Sequence, residues 1–220
     1  MRSRRRSVRV RGKTVSAGNP RPYEGASRLP AGRVEVGLLA QGDWVELEIG
    51  PGRGWFLVER AQVEPRAALV GLEIRRKWAT VVGGRLASRG LAGRVRVFAE
   101  DAVEALPRMG PDASIRRIFV HFPDPWWKKR HAKRLVVRDR FVDEAARLLE
   151  PGGELFVQTD VEERARAYLS LVEQDLRFRS AGDTPDSPRI GENPYGARSP
   201  RERRALGDGL PVYRLRWTRV

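Results

Sequence analysis

The sequence predicts an α/β fold, a mostly parallel sheet with helices on both faces. Three observations lead there. From about residue 43 onward, short apolar segments of strand length alternate with longer helical ones. A glycine-rich turn, Gly50-Pro51-Gly52-Arg53-Gly54, joins the first strand to the first helix. Acidic residues recur where successive strands end, the edge at which such sheets hold their ligands.

Each element follows from its residues. Trp44-Val45-Glu46-Leu47-Glu48-Ile49 alternates with period two and reads as a strand, and a helix runs from the glycine turn to about residue 62. A second strand spans 67–72 and a second helix 75–88; a third strand spans 95–98, before a short helix at 103–106. The fourth strand, 115–120, leads into a basic segment and a helix over 138–149. Pro151-Gly152-Gly153 predicts a tight turn into a strand at 154–158, and a helix follows over 162–174. Residues 181–209 carry Gly, Pro, Ser and charges and read as one long loop. The alternating residues at 211–220 make a last strand. Residues 1–30, with seven basic residues from Arg2 to Lys13 before any acid, form a basic arm, flexible in isolation; residues 31–220 form the single folded domain.

Composition narrows the chemistry. The 220 residues can bury a sizeable core, and no run approaches the roughly 20 apolar residues of a membrane span. There is no cysteine, which excludes disulfides, thiol catalysis and cysteine-built metal sites; with only His121 and His131 as histidines, no metal centre is expected. A net charge of +15, with an isoelectric point near 11.2, makes a nucleic acid the leading partner and a cytoplasmic location the expectation; no membrane or protein partner is implied.

The strand ends carry the functional signal. The glycines at 50, 52 and 54 let a ligand approach the backbone, but they lack the spacing of a pyrophosphate cradle. The acid before them, Glu48, would repel a phosphate and suits a cationic or amino-bearing ligand. Glu73 ends the second strand where an acid would accept from ribose hydroxyls, and Glu100 or Asp101 ends the third where a carboxylate could take an adenine amino hydrogen. Asp124 ends the fourth, clamped between Pro123 and Pro125 in an extended pose. Four acids on one edge, with no phosphate-binding lysine, describe a nucleoside that is itself positively charged. S-adenosylmethionine fits that description.

After Asp124, the adjacent Trp126 and Trp127 point different ways, so one can stack on a base. Arg130, Arg134 and Arg138 recur every four residues, as do Lys129 and Lys133, and make one basic face if helical, suited to phosphates. Gln158-Thr159-Asp160 ends the fifth strand at the same edge, where Thr159 and Asp160 either touch an acceptor or cap the next helix. Neither histidine is expected to act as a catalyst.

With these residues in hand, the sequence resembles the bacterial tRNA (guanine-N7)-methyltransferases. The resemblance rests on Leu47 to Gly54, Gly71-Leu72-Glu73, Asp101-Ala102-Val103, Gln158-Thr159-Asp160 and the segment from Glu202 to Gly207. Above all it rests on Phe122-Pro123-Asp124-Pro125-Trp126 with Lys128, Arg130, His131, Lys133 and Arg134, and it covers roughly residues 43–220. It implies a Rossmann-like seven-strand methyltransferase sheet, S-adenosyl-L-methionine as methyl donor, and N7 of guanine 46 in the tRNA variable loop as acceptor. It further implies that Glu48, Gly50, Gly52, Glu73, Asp101 and Asp124 hold the donor, with Asp124 also catalytic. Lys128, Asp160, Ser199 and Glu202 would meet the acceptor, and Arg130, His131, Lys133 and Arg134 would contact RNA. Two departures stand out: Ser199-Pro200-Arg201-Glu202 replaces a threonine–aromatic–glutamate pattern, and Leu135 replaces a common arginine. Rival readings are an amino-directed methyltransferase of the adenine-N6 type, a non-catalytic RNA-binding protein on the same fold, and a nicotinamide dehydrogenase. The absent second proline after Asp124, the full set of strand-end acids and the glycine spacing disfavour these in turn.

Overall fold

The computed structural model describes residues 23, 25–123 and 136–220. The expectations for Asp124, Trp126, Trp127, Lys128, Arg130, His131, Lys133, Arg134 and Leu135, and for residues 1–22 of the arm, lie outside the described residues.

The chain runs β1 (Val34–Glu35), β2 (Trp44–Ile49), α1 (Trp55–Val63), β3 (Ala67–Leu72), α2 (Arg76–Ser88), β4 (Val95–Phe98) and α3 (Ala102–Ala105). It continues with β5 (Met109–Gly110), β6 (Ile115–His121), α4 (Asp139–Leu148), β7 (Leu149–Thr159) and α5 (Glu162–Glu173). The last elements are β8 (Phe178–Ser180), β9 (Arg189–Ile190), α6 (Pro200–Gly207) and β10 (Tyr213–Arg219). The main sheet has the order β4-β3-β2-β6-β7-β10-β8, with β9 also paired to β10. Strands β4, β3, β2, β6 and β7 are parallel, and β10 enters antiparallel beside β7. β8 and β9 pair with different stretches of β10, so the sheet is seven strands across. The expected fold class holds. β1 and β5 form a separate parallel pair.

Burial on both faces explains the two helical layers. β3 is buried at every position, as a central parallel strand must be. On one face Val45, Leu47, Ile49, Val70, Ile118, Val120 and Val157 meet Phe141, Val142, Ala145, Tyr168 and Val172 of α4 and α5. On the other, Leu69, Phe119 and Phe156 meet Phe56 and Leu57 of α1, Ala79 and Val82 of α2, and Tyr195.

Charged side chains interrupt this second face. Fully buried Glu46 accepts from Arg60 Nε at 2.7 Å and Nη2 at 2.8 Å, and from Arg117 Nη1 at 2.7 Å, while Arg117 Nε reaches Glu154 at 2.7 Å. The two guanidinium partners hold the Glu46 carboxyl below the usual carboxylate range, overcoming the opposing effect of burial.

Two segments differ from expectation. β7 begins at Leu149, and the expected turn at Pro151-Gly152-Gly153 lies inside it. Pairing jumps from Ile115↔Leu149 to Arg117↔Glu154, and Gly152 takes φ +81°, so the turn bulges out while the strand continues. The stretch 181–209 contains β9 and α6 as well as loop. Ser199 caps α6 by accepting from Glu202 N at 3.1 Å, and Pro200 follows at the first helical position.

Candidate active site

The glycine turn is built around positive φ. Gly50, Gly52 and Gly54 sit at +68°, +55° and +69°, which starts α1 directly over the end of β2. Among the described residues, no heavy atom beyond the chain neighbours lies within 4 Å of a Cβ built on Gly50 or Gly52, so that side of the turn is open to a ligand. At Gly54 a Cβ would meet Val82 Cγ1 at 2.5 Å, because α2 packs against the turn there.

Two strand-end acids hold this turn and its floor. Glu73 accepts from Gly52 N at 2.8 Å through Oε2 and from Arg75 N at 2.8 Å through Oε1, which ties the turn to the end of β3. Glu48 is only 2% exposed and lies at 2.8 Å from His121 Nδ1 through Oε1. Burial raises the Glu48 carboxyl above its ordinary value, and the Glu73 charge adds to the rise, against the opposing effect of His121. Glu48 Oε2, His121 Nε2 and both amide atoms of Gln158 are buried with no hydrogen-bond partner among the described residues. Unmatched polar atoms at such depth are costly, and their grouping at one end of the sheet marks a site built for a polar ligand.

Glu48 and His121 line a cavity of about 540 Å³, a size typical of small-molecule sites. Glu48, Gly50, Gly52 and Arg53 line one side, His121, Phe122 and Pro123 the floor, and Asp160, Ser199 and Arg201 the far wall. Asp160 pairs with Arg201, so the far wall carries a charge pair. Asp124 follows Pro123 directly in sequence.

The expected site residues therefore fall in three groups. Glu48, Gly50, Gly52, Asp160 and Ser199 line one cavity, and Glu73 adjoins it through Gly52. Asp101 stands apart, exposed, its Oδ1 accepting from Val103 N at 2.9 Å as the cap of α3; its neighbour Glu100 is occupied by Arg28 and Leu29 N. Glu202 is fully buried and bonded to Arg214 and Asn193, so it anchors α6 beneath the wall. Two of the lining residues that sequence reasoning did not assign to the site are Arg201 and His121. Arg201 stood in a departure from the expected pattern, and His121 gave a signal only through phase: it ends β6 two residues after Phe119, on the face that carries Glu48.

Comparison with known proteins agrees with this geometry. A family model described as "Putative methyltransferase" matches residues 43–215. The tRNA (guanine-N(7)-)-methyltransferase of Anaeromyxobacter dehalogenans (strain 2CP-C) is 42% identical over 189 residues, covering 86% of this chain and 90% of that protein. The tRNA (guanine-N(7)-)-methyltransferase of Myxococcus xanthus (strain DK1622) is 37% identical over 172 residues, 78% of this chain and 82% of that protein. Among solved structures, the 16S rRNA methyltransferase KamB superposes with a TM-score of 0.59 at 18% identity, covering 83% of this chain and 90% of that one. A SAM-dependent O-methyltransferase from Thermotoga maritima superposes with a TM-score of 0.52 at 19% identity, covering 83% of this chain and 61% of that one. Those two likenesses establish the fold; the sequence relatives, matched over most of their length, show that this chain belongs to the tRNA (guanine-N(7)-)-methyltransferase family.

Proposed function

We propose that the protein transfers the methyl group of S-adenosylmethionine to N7 of guanine 46 in the variable loop of tRNA, in the cytoplasm. The observation that carries this reading is the buried Glu48 carboxylate, with one oxygen unpartnered among the described residues, beneath a positive-φ glycine turn. A phosphate-bearing cofactor would meet repulsion there, whereas a donor carrying an ammonium and a sulfonium meets its complement. S-adenosylmethionine supplies an activated methyl group when bound. Glu48 would hold its cationic amino-acid part, Glu73 its ribose hydroxyls, and Asp101 its adenine edge, with Gly50 and Gly52 passing beneath.

Guanine N7 is an in-plane lone pair without a proton, so no general base is needed. The protein's task is to align the acceptor with the methyl group and to offset the charge that appears on the base. Orientation of this kind is worth about 7–11 kcal/mol in favourable cases. Asp124 is assigned the base edge and the emerging cation, with Trp126 or Trp127 bounding the pocket. Asp160, Lys128 and Ser199 belong to the acceptor side, with buried Glu202 holding α6 in place behind them, and Arg130, His131, Lys133 and Arg134 to the RNA backbone. Incubation with labelled methyl donor and unmodified tRNA, followed by nucleoside mass spectrometry, tests the reading: 7-methylguanosine at position 46 supports it, and N6-methyladenosine or no product refutes it.

A further inference from the structure

Among the described residues, cations stack on tryptophan in two clusters, and these differ in one respect. At the base of the sheet, Arg66 and Arg116 lie over Trp44 with 4.7 and 4.2 Å from charge to ring centre. Each also has an acid partner, Asp43 at 3.9 Å and Glu150 at 2.9 Å, so that cluster is neutralised within the fold. Around the start of α1 and along α2, Arg85 and Arg89 lie over Trp55 at 4.5 and 5.3 Å, and Arg53 and Lys77 over Trp78 at 5.1 and 5.6 Å. No carboxylate among the described residues forms an ion pair with any of these four cations.

The arrangement is an ordered stripe. Trp78, Arg85 and Arg89 are spaced by seven and four residues, which sets them on one face of α2. Trp55 opens α1 beside them, and Arg53 both covers Trp78 and lines the cavity. The Arg85 guanidinium donates to the backbone carbonyl of Arg53, which ties this end of α2 to the glycine turn. Burial, with Arg89 and Arg53 nearby, holds Arg85 below the usual arginine range, the mark of like charges gathered without a counter-ion.

We infer that this stripe, Arg53, Trp55, Lys77, Trp78, Arg85 and Arg89, is a docking surface for the sugar-phosphate backbone of the substrate tRNA, leading from α2 into the cavity mouth. The inference rests on the proposed function and adds a second RNA surface to the basic segment after Asp124. Cations held rigidly on aromatic faces, without acids, match a polyanion that brings its own negative charge and has bases available to stack. A protein partner with an acidic face would satisfy the charges but would not engage the tryptophan faces.

The test compares Arg89→Glu with Arg179→Glu, the same charge change placed on β8 at the far edge of the sheet. Affinity for unmodified tRNA is measured by filter binding across a salt series, with S-adenosylhomocysteine affinity and thermal midpoint as controls for folding. Arg89→Glu is expected to weaken tRNA binding by about tenfold and to flatten the log–log salt slope by roughly 0.7–0.9 per lost contact. Arg179→Glu is expected to stay near wild type, and both variants to bind S-adenosylhomocysteine normally. Equal losses in the two variants would mean that only net charge matters and would overturn the inference, as would unchanged binding in Arg89→Glu. Wild-type protein that binds no tRNA at all would overturn the proposed function together with it.

Discussion

Glu48→Gln separates function from stability most sharply. The substitution keeps the shape and an acceptor oxygen for His121 Nδ1, which lies at 2.8 Å from Glu48 Oε1, and removes only the charge. Hydrogen bonds to charged groups are worth about 1.5–3 kcal/mol, and the other carboxylate oxygen has no partner among the described residues. Losing 2–3 kcal/mol corresponds to roughly 30- to 150-fold weaker donor binding. Stability should move the other way. A carboxyl raised by burial favours its protonated form in the fold, so its contribution is fully present below the ordinary value of 4.5 and is lost as pH rises through the raised value. Above both values the buried charge costs stability, and Glu48→Gln lacks that cost. Urea melts at about pH 5 and about pH 8 should show the variant gaining on wild type at the higher pH. Calorimetric titration with S-adenosylhomocysteine should show the loss of affinity in the same protein. Near-normal affinity in Glu48→Gln would refute the assignment of this acid to the donor, and lower stability at the higher pH would refute the account of its burial.

Other outcomes follow from the same geometry. Gly54→Ala places a Cβ at φ +69° and 2.5 Å from Val82 Cγ1, and should cost about 2–4 kcal/mol in denaturant midpoint analysis. Glu46→Ala leaves buried Arg60 with only the more distant Glu64 carboxylate, at 3.9 Å, and should cost about 3–5 kcal/mol by the same measurement, with Arg60→Ala and the double variant showing strong non-additivity. Asp124→Asn should lower turnover roughly 100-fold while S-adenosylhomocysteine affinity holds; near-wild-type turnover would remove Asp124 from the reaction centre.

How far the sequence could be read depended on where each signal came from. β2, β3, β4, β6, the second half of β7 and the helices between them were legible because buried parallel strands and amphipathic helices write their periods into the chain, as in Ala67–Leu72, buried throughout. α6 was not, since its helical segment Pro-Arg-Glu-Arg-Arg-Ala-Leu-Gly buries only Glu202 and Ala205 and so shows no apolar period. Its Ser199-Pro200 cap was the one signal present. β8 and β9 are too short to carry alternation and exist because β10 offers them an edge. In the site, Glu48 and the glycine turn were readable from order along the chain. That Glu100 would turn to Arg28, that Glu202 would be buried against Arg214, and that His121 would meet Glu48 depended on contacts between residues far apart in sequence.

A crystal structure of the protein with S-adenosylhomocysteine would bear on the donor site directly. The ligand's amino group should lie within hydrogen-bonding distance of Glu48, and its ribose hydroxyls against Glu73, inside the cavity bounded by Gly50, His121 and Asp160. Density for the ligand at any other surface, with that cavity filled by ordered water, would contradict the account.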